Sequence, residues 1–162
     1  MDTEELTRLT TSPSRRVIGV GALVGLGGLF LYMAFAMPPA DFLWQAFLVG
    51  CGVASVALGH LMWKSTAHAL ILTEKGLIDS DGTEVALIAD IDKVDRGTFA
   101  LKPSNGFVIL LKTPGRRVWR PGLWWRLGRR VAIGGVTAAS QTKPLADILT
   151  MKVLERDGKA PR

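Results

Sequence analysis

Two long apolar stretches close to the N-terminus constrain this chain more than any other feature. They run from Val17 to Met37 and from Phe42 to Trp63, and neither contains Asp, Glu, Lys or Arg. At about 1.5 Å per helical residue, each is long enough to cross a hydrocarbon core of about 30 Å. Only Pro38, Pro39, Ala40 and Asp41 separate them. The pattern predicts a transmembrane helical hairpin over residues 15–64. A cleaved signal peptide fits poorly, because the first stretch exceeds a signal h-region and a second span follows at once. Arg15 and Arg16 precede the first stretch and Lys64 follows the second, whereas the short connection carries one acid, Asp41. Basic flanks favour the cytoplasmic side, so both termini are expected there.

The glycines within these stretches suit close helix packing. Gly21 and Gly25 form a G-x-x-x-G pair, and Gly50, Ala54, Ser55 and Gly59 supply small faces on the second helix. Small residues let two backbones approach in lipid, where no hydrophobic effect drives association. The expected contact is the hairpin on itself or the seam of a homo-oligomer. The run from Arg16 to Gly25 superficially resembles a dinucleotide-binding glycine pattern. It has no preceding strand and no surrounding βαβ unit, so that reading is set aside. Cys51 is the single cysteine, which excludes an internal disulfide and offers no zinc cluster. His60 lies close enough to Lys64 for its ring to reach the interface.

Charge is unevenly placed. From Ser65 onward there are 16 basic and 10 acidic residues, a difference of +6 that equals the net charge of the whole chain. A basic domain beside a bilayer faces an anionic leaflet. The residues before the hairpin, 1–14, and those at the end, 157–162, read as short flexible tails. Between them, residues 65–156 read as a β-rich domain. Asp81-Gly82 and Pro103-Ser104-Asn105-Gly106 are hairpin turns. Strand candidates are Ala67–Thr73, Leu77–Ile78, Thr83–Ile88, Ile91–Val94, Phe99–Lys102, Phe107–Lys112, Arg117–Arg120 and Arg130–Ile133. Gly134-Gly135 suggests a bulge or a close backbone approach. An amphipathic helix follows, with Thr142 as its expected cap and Pro144 in its first turn. Leu145, Ile148, Leu149, Met151, Val153 and Leu154 supply its apolar face.

The hairpin, the segment Leu70-Ile71-Leu72-Thr73-Glu74-Lys75-Gly76-Leu77-Ile78-Asp79, the later Asp90-Ile91 and the closing helix together resemble bacterial membrane proteins with a pleckstrin-homology-like domain. The resemblance implies an α+β inner-membrane protein: a two-helix transmembrane hairpin, then a small β-barrel or curled antiparallel sheet closed by a C-terminal helix. It implies a binding or scaffolding module rather than a catalyst.

The segment from Lys112 to Arg130 holds seven basic residues and no acid, together with three of the five tryptophans. Arg116, Arg117, Arg120, Arg126, Arg129 and Arg130 are the candidate binders of an anionic lipid or ligand, because guanidinium pairs bidentately with phosphate and carboxylate. Trp119, Trp124 and Trp125 are the candidate membrane-interface aromatics. The expected partners are the lipid bilayer, anionic phospholipid, or a membrane or cytoplasmic protein. Nucleic acid is not expected, since no helix-turn-helix or RNA-binding aromatic signature is present. The remaining alternatives are a structural or assembly subunit of a larger membrane complex and a metal-dependent enzyme using Asp90, Asp92 and Asp95. Three acids without a shaped loop make a weak metal signal. No P-loop, G-x-S-x-G or H-E-x-x-H motif occurs. No cofactor, metal site or catalytic residue is therefore expected.

Overall fold

A computed structural model of the chain describes residues 5–97 and 103–158. The strand expected over Phe99–Lys102 lies outside the described residues, as do residues 159–162 of the C-terminal tail. Two helices form where the apolar stretches predict them: α1 over Pro13–Ala36 and α2 over Phe42–Ser65. Proline opens α1, where its missing N–H is no loss. Asp41 caps α2 by accepting from the Leu43 N–H at 2.8 Å. Both helices are long and apolar enough to cross a membrane. Their side chains point outward almost everywhere; only Gly27 and Ala34 of α1 and Gly52, Gly59 and Ser65 of α2 are buried.

The helices pack through a narrower set of glycines than the sequence suggests. A Cβ at Gly27 would lie 2.9 Å from the Gly52 carbonyl oxygen, and one at Gly52 would lie 2.7 Å from Leu31 Cγ. Gly59 faces Val24 at 3.0 Å. Gly21, Gly25 and Gly50 have open space where a Cβ would stand, and Ala54 is exposed. Of the expected packing positions, Gly59 thus lies in the seam and Ser55 at its margin. Gly21, Gly25, Gly50 and Ala54 do not join α1 to α2. Gly25 and Gly21 lie two and six residues before the buried Gly27, which at 3.6 residues per turn places them about 160° and about 120° around α1 from the seam.

The remainder is two antiparallel sheets and one helix. The first sheet has the order β1(Glu5–Leu9), β2(Leu70–Thr73), β3(Gly76–Asp79), β4(Glu84–Leu87). A short 3₁₀ turn at Ile88–Asp90 leads to the second sheet, built from β5(Ile91–Asp95), β6(Phe107–Leu111), β7(Val118–Arg120), β8(Trp124–Leu127) and β9(Arg130–Ile133) in the order β5-β6-β9-β8-β7. Helix α3 spans Ala139–Arg156. The fold is α+β, but the expected barrel is corrected: among the described residues no ladder joins the two sheets into a closed cylinder.

A second correction concerns the N-terminal tail. Residues 5–9 are a strand, not a flexible tail: β1 pairs with β2 through Arg8↔Ile71 and Leu9↔Leu70. Leu9 is buried in the same core as Leu70, Leu72 and Leu149. That core runs between both sheets and α3, with Phe107, Ile109, Trp124, Val131 and Ile133 from the second sheet and Leu145, Leu149 and Val153 from the helix. Helix α3 begins at Ala139, before the expected cap. Thr142 instead donates its hydroxyl to the Asn105 carbonyl at 2.6 Å, tying the helix to the 103–106 turn. Pro144 is tolerated inside the helix because the carbonyl it leaves unbonded belongs to exposed Ser140, which water can satisfy.

Gly134 and Gly135 mark a close approach, as the sequence suggests. Both have positive φ, 140° and 124°, and Gly134 packs against Gly106 while Gly135 packs against Gly122. These contacts seat the 103–106 and 121–123 turns together. A Cβ at Gly122 would meet Thr66 at 2.9 Å and Met62 at 3.2 Å, so the 121–123 turn lies against the last turn of α2.

Candidate functional site

The basic and aromatic segment folds into the β7–β8 hairpin, with Val118↔Arg126, Trp119↔Trp125 and Arg120↔Trp124 opposite one another. Residues directly opposite in an antiparallel pair share a face. One face therefore carries Val118, Arg120, Trp124 and Arg126, and the other carries Trp119 and Trp125.

The first face turns toward the protein. Trp124 is 1 % exposed and donates its indole N–H to Asp79 Oδ2 at 2.9 Å. It is a core residue, and the expectation that it meets the membrane interface is corrected. The β-strand period explains this: two adjacent tryptophans in a strand point to opposite sides. Arg126 is also spent internally, donating from Nε to the Arg116 carbonyl at 2.7 Å and from Nη1 to the Glu84 carbonyl at 3.1 Å. It ties the second sheet to β4 of the first. Arg129 donates to the Leu111 carbonyl at 2.8 Å. Arg120 pairs with Asp81 and lies 3.9 Å from Asp79.

The second face looks outward. Trp119 is 57 % and Leu127 52 % exposed, and Trp125 is half-buried beside them. Arg116, Arg117 and Arg130 are exposed, and their side chains make no hydrogen bond or ion pair among the described residues. The six candidate arginines thus divide into three engaged ones and three that project freely. At about 3.3 Å per residue, Leu127 is about 10 Å along the strand from Trp124. The free arginines lie at that end, away from the 121–123 turn that touches α2.

A second constellation sits where the helices meet the sheets. His68 follows α2 and its Nδ1 lies 3.1 Å from Asp79 Oδ1. Asp79 is fully buried at the end of β3, and Asp81 stands in the β3–β4 turn. The register Leu70↔Asp79 brings His68 and Asp79 together. Asp81 Oδ1 accepts from the Thr83 N–H at 2.8 Å. Burial would raise the Asp81 carboxyl. Hydrogen bonds from Thr83 and the charges of Arg120 and His68 outweigh that and hold it below the usual carboxylate range. His68, Asp79 and Asp81 present donor atoms within 4.8 Å of one another. Asp90, Asp92 and Asp95 form no such group; Asp95 is occupied by the Gly97 N–H at 2.8 Å.

Sequence reasoning did not find this cluster. Asp81-Gly82 reads first as a turn, and His68 has no obvious partner close by in the sequence. Only the β2–β3 register shows what they face. Replacing Trp124 with Phe keeps most of the buried ring but removes the donor to Asp79. A loss of about 1–3 kcal/mol in unfolding free energy is expected for an unsatisfied buried carboxylate oxygen, measured by denaturant titration of the full chain in detergent.

Beside the cluster, a cavity of about 410 Å³ is lined by Arg8, Thr10, Arg16, Trp63 and His68. The Arg16 guanidinium stacks 3.9 Å over the Trp63 ring and donates to the Trp63 carbonyl at 2.8 Å, binding the start of α1 to the end of α2. Compared with known proteins, the chain matches no family model, and it matches no curated protein and no solved structure.

Proposed function

We propose that this protein is a membrane-anchored, non-catalytic binding module whose contact surface is the outer face of the β7–β8 hairpin. Its anchor is the α1–α2 hairpin. A core helix of a soluble protein buries its apolar side chains, whereas Ile18, Phe35, Phe42 and Leu43 stand exposed along these two. Arg15, Arg16 and Lys64 at the open end, against Asp41 at the closed end, favour a cytoplasmic location for both termini in a bacterial inner membrane. Two antiparallel sheets with a closing helix agree with the pleckstrin-homology-like resemblance.

The observation that carries the reading is the pairing of Trp119 and Trp125 on an outward face beside Arg116, Arg117 and Arg130, whose side chains have no partner among the described residues. Exposed aromatics flanked by free guanidinium groups suit an acidic segment with apolar side chains. A protein partner is favoured over the resident bilayer because the free arginines lie at the strand ends away from α2. Gly21, Gly25 and Gly50, open on the outside of the helices, leave room for a second copy or another span, which supports the reading as an assembly subunit.

A photo-crosslinking residue in place of Trp119, in the full chain in its native membrane, tests the assignment. A protein adduct is expected, reduced at least about tenfold by the combined Arg116→Glu, Arg117→Glu and Arg130→Glu substitutions, given the strength of charge-assisted pairs. A lipid adduct alone would move the contact to the bilayer. The absence of any adduct would remove the hairpin as a contact surface.

A further inference from the structure

We propose that His68, Asp79 and Asp81 form a binding site for a divalent transition-metal ion of the zinc class, at the joint between the helical hairpin and the sheets. The argument begins with Asp79 Oδ1. This oxygen is buried and accepts no hydrogen bond. His68 Nδ1 is only 3.1 Å away, yet it does not donate to the oxygen with hydrogen-bond geometry. This contact is an ion pair only with a protonated imidazole; a neutral imidazole presenting its Nδ1 lone pair to the buried oxygen repels it unless a cation lies between them. A buried acceptor without a donor costs free energy that native structures rarely leave uncompensated.

The spacing suits an ion. Zinc binds imidazole nitrogen and carboxylate oxygen at about 2.0–2.2 Å in a tetrahedron, which places neighbouring donor atoms about 3.3–3.6 Å apart. The His68–Asp79 separation of 3.1 Å is close to that edge, and the donor atoms of all three residues fall within 4.8 Å. Asp81 closes the third position, and water would take the fourth. One nitrogen and two carboxylate ligands favour zinc over magnesium or calcium, which prefer six or more oxygen ligands.

The carboxylates are already oriented from behind. Trp124 holds Asp79 Oδ2 and the Thr83 N–H holds Asp81 Oδ1. Arg120 sits on the Asp81 Oδ2 side. Such outer partners are the usual support of metal ligands. Two carboxylates and Arg120 sum to one negative charge with a neutral imidazole, so a divalent ion leaves one positive charge rather than a large imbalance. An ion there would join the segment after α2 to the end of β3 and to the β3–β4 turn, fixing the angle at which the first sheet meets the hairpin.

Full-length protein in detergent, stripped with chelator and given zinc alone at neutral pH, tests the site. One tightly bound zinc ion per chain is expected, together with a rise of several degrees in melting temperature. His68→Ala leaves the core intact and should lose both effects. His60→Ala, which changes the other histidine, should keep both. Zinc bound equally by His68→Ala, or an equal melting shift with magnesium, would overturn the assignment, as would stripped protein that takes up no zinc while remaining folded by circular dichroism.

Discussion

Gly106→Ala is expected to cost about 3 kcal/mol or more, a loss that takes a large share of the 5–15 kcal/mol typical of a domain. A Cβ at this position would stand 2.0 Å from the Ile133 carbonyl oxygen and 3.0 Å from Gly134 Cα. Neither obstacle is a flexible side chain. Ile133 is fixed on one side by its pairing with Phe107 and on the other by Trp124. Gly134 already occupies a backbone conformation, at φ 140°, that only glycine adopts readily. The strain therefore cannot be relieved by a rotamer change and must separate β6 from β9, beneath the core residues Phe107 and Ile133. Thermal unfolding of the full chain in detergent checks this. Gly28→Ala, on an open helical surface, should not destabilise the chain.

Gly52→Leu is expected to force the two helices apart, with a loss of about 2–4 kcal/mol by overpacking. The new side chain would begin 2.7 Å from Leu31 Cγ and 3.1 Å from the Gly27 carbonyl. Relief requires moving a whole helix, because the Gly27 and Gly52 backbones meet directly. Gly21→Leu adds the same bulk where nothing lies within 4 Å, and it should leave the pair intact. Distances between spin labels at the two open helix ends, measured for both variants in the same detergent, distinguish the outcomes. A separation unchanged in Gly52→Leu would show that the seam does not depend on Gly52, and an equal increase in Gly21→Leu would show that the effect is not confined to the Gly27–Gly52 contact.

Some of this architecture is legible in the chain because it depends on local pattern. The helices follow from uninterrupted apolar length, and the β3–β4 turn from Asp81-Gly82, where Gly82 has φ 86°. Strand β8 was hidden because Leu123-Trp124-Trp125-Arg126 shows no alternation of polarity. Its buried Trp124 and half-buried, outward-facing Trp125 are chemically identical in the sequence. Strand β1 was hidden for another reason: Glu5-Leu6-Thr7-Arg8-Leu9 is polar enough to read as a tail, and its partner lies beyond both helices. Within the candidate site, the accumulation of arginine was visible, but which guanidinium groups remain free was not. Arg126 and Arg129 are consumed by carbonyls of distant strands. Residue type alone carries no record of such long-range hydrogen bonds.

The pairing of β1 with β2 makes the helical hairpin an insertion between two neighbouring strands. A fragment starting at Ser65 would leave the β2 edge bare, with its backbone donors and acceptors open to pairing with another copy. The complete sheet also demands that the first strand wait, unpaired, while both helices are synthesised and, where these span a membrane as proposed, that it stay on the side to which the chain returns. Under the proposed membrane-spanning arrangement, a molecule that translocates its N-terminus, or inserts only one helix, cannot complete its first sheet and is left with an uncovered edge.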